Sequence, residues 1–478
     1  MDTRKDLKAK IAIVGAGPAG LATAWFLKKK GYENVLVLEK LGRVGGLCKT
    51  ITQDYQSYDL GANYITLAYR ETKKIAREVG AETYTEPPYT ALIVPEDPER
   101  KTHFESFAKA ILVDDRTGKP FPLWRAMLDG FKYIRLRWRL RSIIDQPTFA
   151  GVCDYKEEDL CVNFAEWMAR HDLQRFQRLF EIPITMMGYN QLDNIAAPYA
   201  LKYMSLGTFI PMIMRGVPVL KWFVTYPKRF RLGFQRMWQQ VAWRLDVRLN
   251  IHIREITREN GEIKVRFTKR EQILNCIRED QETMTFKYLI LACPLSPNVL
   301  CPFLDMTEQE QALFKPVITN SYTMTTLKVK DLNLITPIAP VVPLTQKGTP
   351  WAVVQQWKDK GSLLTQFYTM ADTDAEPQVR NPCDDIKLKD YEPEIITAIT
   401  DLVNRMGGKI VDPEDEWRTY DRWPYFQHVN AARFHEGFYD KLEAQQGRNS
   451  TFFVGGPTNF ELVEPIVRYS KNLVDTHF

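Results

Sequence analysis

The sequence predicts an α/β protein: a parallel sheet covered by helices, with a second, mixed α+β domain inserted into it. Three observations carry this. A short buried run, Ile11-Ala12-Ile13-Val14, meets a glycine turn that opens a helix over 21–30. A second buried run, Val35-Leu36-Val37-Leu38, ends on Glu39. Further short strand-like runs lie much later, at 287–294 and 451–456, with long segments between them.

The first turn reads Gly15-Ala16-Gly17-Pro18-Ala19-Gly20. Gly15 permits the tight exit from the strand. Gly17 lets backbone approach a pyrophosphate, and Gly20 lets the helix pack close to the sheet. Pro18 and Ala19 begin the helix, whose free N–H groups and dipole favour phosphate. Glu39, nineteen residues after Gly20, is placed to accept hydrogen bonds from a ribose diol. This is a Rossmann-type dinucleotide-binding unit in its proper strand–turn–helix–strand setting.

The next residues extend the pattern: acid, three residues, Arg43, one residue, then Gly45-Gly46. That extension resembles the FAD-binding domain of the amine oxidase and phytoene desaturase superfamily. The resemblance implies that Glu39, Lys40, Arg43, Gly45 and Gly46 contact the cofactor. A guanidinium beside two phosphates also fits by charge and geometry. By the same resemblance, Tyr58 to Asn63 is a short strand and glycine turn that sets Gly61, Ala62 and Asn63 near the flavin ring. The 247–256 and 257–267 stretches alternate as a β-hairpin turning at Asn260-Gly261. By resemblance, Ile253 offers main chain to the adenine. The run 287–294 is a buried strand ended by proline. Residues 451–456, ending in Gly455-Gly456, make the last return before a C-terminal helix. Here the sequence departs from its relatives: Gly456 and Pro457 stand where an acid usually meets the ribityl chain. No cysteine or histidine lies in an attachment motif, so the expected FAD is non-covalent.

The resemblance implies a discontinuous FAD-binding domain, at about 1–95, 235–296 and 425–478. The inserts 96–234 and 297–424 form the substrate domain. The first insert reads mainly helical. In the second, 351–357 and 363–368 alternate like paired strands, and 392–406 is an amphipathic helix stopped by Gly407-Gly408.

Within the inserts the stretch FEIPITMMGYNQLDNIAAPYALKY, 180–203, resembles bacterial polyunsaturated fatty acid isomerases. So do WPYFQHV at 423–429, GFYDKLEAQQG at 437–447, and Tyr469-Ser470-Lys471. The resemblance implies hydride abstraction by FAD from a methylene between two double bonds, and return at another carbon. Such chemistry asks for an apolar chamber, and Met186, Met187, Tyr189, Phe209, Trp423, Tyr425 and Phe426 are its candidate walls. Catalytic candidates are His428, Tyr189 and Tyr425. The family holds its substrate carboxylate with an early arginine, and Pro87 to Ala91 has none. Two other readings stay open. One is an FAD oxidase or desaturase passing electrons to oxygen or another acceptor; the other is a flavin-binding protein without catalysis.

Composition bounds the rest. At 478 residues, 45% hydrophobic and 12% aromatic, the chain can bury a large core. A net charge of +5 gives no case for nucleic acid. The seven cysteines and six histidines are dispersed, so neither a disulfide framework nor a metal site is expected. There is no secretory segment and no apolar run long enough for a transmembrane helix, and the cytoplasm is the default location. Two stretches are candidates for peripheral membrane contact: 124–144, rich in arginine and aromatics, and 199–226, apolar with few charges. Oligomeric state is left open.

Overall fold

The computed structural model describes residues 6–478 apart from 86–91, 96–104, 107–111, 115–116, 157, 217–226, 274–275, 333, 335–337, 343, 345–346, 358–359, 372–392 and 412–418. Its organising sheet has five parallel strands. In spatial order they are Asp246–Arg248, Val35–Leu38, Ile11–Val14, Tyr288–Leu291 and Thr451–Phe453. The central strand is fully buried, as both covered faces require. The helix Pro18–Lys29 packs on one face and against the C-terminal helix Val463–His477, where Ser470 Oγ donates to Ala19 O at 3.2 Å.

Three antiparallel strands, Ile251–Glu259, Glu262–Ile273 and Cys276–Phe286, form the meander. Asn260 and Gly261 both take positive φ, 52° and 75°, which closes the expected two-residue turn. The expected strand over 247–256 is broken at Asn250, also at positive φ (57°). One half joins the parallel sheet and the other begins the meander.

A second, eight-stranded sheet is built around the long strand Ile318–Lys330, and it takes in Leu92–Pro95 as well. Leu364–Met370 pairs with Pro350–Val354 as read from the alternation. Thr419–His428 also pairs with the long strand, so this sheet runs three residues past the boundary expected at 425. The helix Gln177–Met186 packs against this sheet, with Ile182 and Met186 clustered on Tyr322, Trp351 and Met370. Residues 87–91 lie outside the described residues.

One expectation is corrected. Cys153 and Cys161 form a disulfide with Cα atoms 5.8 Å apart, although no framework was read from the cysteine spacing. The two lie on a loop whose neighbours Val152, Leu160 and Val162 are buried, and core packing brings the thiols together. Among the described residues no group of His, Cys, Asp and Glu can hold a metal, and no helix is long and apolar enough to cross a membrane.

Candidate active site

The first glycine turn is built by close packing. A Cβ on Gly20 would stand 2.0 Å from Gly15 O, and one on Gly15 (φ +106°) would stand 2.7 Å from Ala292 O. Gly17 differs: a Cβ there would meet only Gly46 Cα, at 3.8 Å. The space above Gly17 is therefore open to a ligand, while Gly20 and Gly45 hold the turn's shape and do not line the cavity. The Gly45 N–H donates to Ala16 O at 2.8 Å. Glu39 accepts from the N–H groups of Ala16 (2.7 Å) and Leu41 (2.8 Å). Burial pushes its carboxyl up, and these hydrogen bonds oppose that.

Arg43 donates through Nη1 to Gly46 O at 2.9 Å, and its guanidinium lies 5.9 Å from the Trp423 ring centre. Its Nε is buried and has no hydrogen-bond partner among the described residues. A half-buried guanidinium whose Nε is buried and unmet is what a site shaped for phosphate oxygens leaves behind. With the open space above Gly17, it fits a dinucleotide pyrophosphate.

One cavity of about 2330 Å³ runs on from this turn. Gly15, Gly17, Pro18, Ala19, Glu39, Lys40, Arg43 and Gly46 line its first part, with Gly61, Ala62, Asn63, Ile253, Gly455 and Gly456. Its inner part is a chamber of aromatic and methionine side chains: Tyr189, Tyr203, Tyr322, Tyr368, Trp423 and Tyr425 beside Met186 and Met187. Tyr425 stacks on Tyr322 with centroids 5.6 Å apart, and Tyr189 lies 5.6 Å from Tyr425. Burial pushes the Tyr189, Tyr322 and Tyr425 phenols well above their ordinary value, so they stay neutral.

Three expected wall or catalytic residues are elsewhere. Phe209 and Phe426 are core residues that do not reach the cavity. His428 is also buried behind it, stacked on Phe426 at 4.3 Å with Nδ1 2.7 Å from Phe426 O. Burial pushes its imidazole down to about 4, so it is neutral at ordinary pH.

Two groups in the cavity wall were not singled out from sequence. Glu461 brings a carboxylate to the edge where Gly456 and Pro457 replace the usual acid. Its Oε2 lies 2.8 Å from where a Gly456 Cβ would stand and accepts the Gln427 N–H at 2.8 Å. Burial pushes it up to about 7. Tyr189 Oη donates to its backbone oxygen at 3.1 Å. No local signal reveals it, because the turn Gly456–Thr458 carries position 461 back over the glycines. Lys202, part of an isomerase-like motif, donates to Asn459 Oδ1 (2.5 Å) and Gln146 O (3.0 Å) and also lines the cavity. Burial pushes its amine well down.

A cofactor-binding parallel sheet and an apolar chamber sharing one cavity define a flavoenzyme of the oxidoreductase type. The chain belongs to the flavin containing amine oxidoreductase family, whose profile matches residues 18–459. It is an FAD-dependent enzyme with that family's α/β fold. The chain is 37% identical over 75 residues to the polyenoic fatty acid isomerase of Ptilota filicina, a match spanning 16% of this chain and 15% of that one. The FAD-dependent oxidoreductase oblC of Cochliobolus heterostrophus is 23% identical over 97% of this chain and 90% of its own. Among solved structures, the CLA-producing fatty acid isomerase from P. acnes aligns with a TM-score of 0.73 at 22% identity, covering 99% of both chains. Wild-type putrescine oxidase aligns at 0.62 and 15% identity over 98% of both.

Proposed function

We propose that the protein is an FAD-dependent isomerase that moves double bonds in a polyunsaturated fatty acid or a similar apolar polyene. The observation that carries the reading is the continuity of the cavity: the dinucleotide cradle opens into a chamber walled by tyrosines and methionines. Gly17, Pro18, Ala19 and Arg43 would hold the pyrophosphate, Glu39 the ribose, Ile253 the adenine edge, and Gly61, Ala62 and Asn63 the ring side. The chemistry that bound FAD supplies is reversible two-electron transfer with an activated methylene.

This chain's residues supply orientation and water exclusion. Tyr189 and Tyr425 form a wall of neutral phenols that shapes an alkyl chain without trading protons. Binding is non-covalent on this reading. The cavity-lining thiol of Cys293 is pushed up to about 12 by burial and stays a poor nucleophile. Acid precipitation should release all the flavin; flavin left in the pellet would refute this point.

Incubation with linoleate, with and without air, tests the function. Conjugated-diene absorbance that grows equally in both, with no oxygen uptake, is the expected result. Turnover confined to air, with oxygen consumed, would assign an oxidase instead.

A further inference from the structure

The helix Leu123–Arg139 turns an uncovered apolar stripe outward. Leu123, Trp124, Met127, Leu128, Phe131 and Trp138 are each 49–64% exposed, and they recur at helical spacing along one side. The stripe is about 25 Å long at 1.5 Å per residue. The opposite side is pinned to the protein. Tyr133 Oη donates to Met204 O at 2.7 Å, Arg137 Nε donates to Leu201 O at 2.8 Å, and Asp129 pairs with Arg175 at 2.7 Å. The stripe therefore faces outward because the inner face is already used.

Cations flank the stripe. Arg125, Lys132, Arg135, Arg139 and Arg141 are exposed, while the helix's one acid, Asp129, is buried. The next acid, Asp145, is held by Arg137. An apolar stripe bordered by cations matches a bilayer with anionic headgroups, where side chains enter the acyl boundary and cations meet phosphates. A second copy docked symmetrically on the same face would set these cations against one another.

The stripe also ends at the cavity. Trp138 and Arg141 both line it, with the Arg141 guanidinium 3.7 Å from the Trp138 ring centre. Leu206, Pro211 and Met212 line the same cavity, all three from the helix Leu206–Gly216, which packs beside Leu123–Arg139. We propose that this face seats the protein on an anionic lipid bilayer, with the cavity rim at Trp138 and Arg141 held against the acyl layer. The docking stands on the face itself. Only the use of the rim as a lipid entrance rests on the proposed isomerase reading.

The test is co-sedimentation of the flavin-loaded protein with vesicles of phosphatidylcholine alone or mixed with phosphatidylserine. Binding to the mixed vesicles, weakened by salt, is expected. Replacing Trp124 and Phe131 together by Glu, or Arg125 and Lys132 together by Glu, should weaken it by roughly tenfold or more. These residues lie outside the cavity, so flavin absorbance reports whether each variant remains folded. Protein left in the supernatant with both lipids, or binding unchanged in folded variants, would overturn the proposal. So would a dimer, seen by sedimentation equilibrium, that the Trp124 and Phe131 replacements dissolve. Vesicle binding by a protein that forms no diene would leave the docking intact and remove only the entrance.

Discussion

Glu461 is the residue whose chemistry differs most from what its surroundings in the sequence suggest. Burial moves its carboxyl from an ordinary 4.5 to about 7. Between those values the folded protein keeps a proton that the unfolded chain releases, so this group's contribution to stability falls as pH rises. Glu461→Gln removes that slope. Its melting temperature relative to the unaltered protein should climb from pH 4.5 to 7 and then level off. Parallel curves across that window would refute the assignment. His428 gives the contrast. With its imidazole pushed down to about 4, it should add no limb to an activity profile between pH 5 and 8. A limb near 7 should vanish in Glu461→Gln and persist in His428→Asn. The sequence singles out His428 because histidine is the usual titrating group near neutrality. It gives no sign that the side chain stacks on Phe426 behind the cavity wall.

At the level of elements, the two turn glycines separate binding from folding. Gly17→Val adds a side chain into open space, so the protein should fold normally and carry at least roughly tenfold less flavin. Gly20→Val meets Gly15 O at 2.0 Å and should lose the fold itself, since overpacking costs about 1–3 kcal/mol or more. Flavin absorbance per chain and circular dichroism distinguish the two. Elsewhere the meander is tied to the helix Glu308–Phe314 by Arg258, which meets Glu310 and Asp305 at 2.6 Å while it and Glu310 are almost fully buried. Arg258→Ala strands Glu310 in the interior, and removing one partner of such a pair costs roughly 3–5 kcal/mol. Urea melting should show that loss. The strands and helices were largely legible because their periods are local: the buried runs at 11–14 and 35–38, the Asn260-Gly261 turn, the amphipathic helix stopped by Gly407-Gly408. The third meander strand, Cys276–Phe286, was not anticipated. It is rich in charge and meets its neighbour mainly through the backbone ladder, which leaves little apolar pattern to read.

Across the whole molecule, the part of the cavity lined by the glycine turns was readable and the aromatic chamber only partly so. Glycine spacing reflects backbone geometry, which is local, and almost every residue expected at the cofactor does line the cavity. The chamber is set by how two sheets and a helical layer meet. That is why Phe209 and Phe426 turned out to be core, while Lys202 and Glu461 turned out to be wall. The two halves are joined by the half-buried pair Lys49–Asp421 at 2.6 Å, beside Arg43. FAD bound between them should behave as a stabilising ligand. At a hundredfold excess over Kd it adds about 2.7 kcal/mol, so stripped protein should melt several degrees lower and recover on adding FAD. The five-stranded sheet has a further consequence, for biosynthesis. Its last strand, Thr451–Phe453, pairs with Tyr288–Leu291, and Gly455 and Gly456 follow directly. On the ribosome the strand Tyr288–Leu291 therefore waits for about 160 residues of further translation with one hydrogen-bonding edge bare, and unpaired edges of this kind invite wrong partners. The cradle closes only once Thr451–Phe453 and the glycines after it have been made, which places cofactor capture after that pairing.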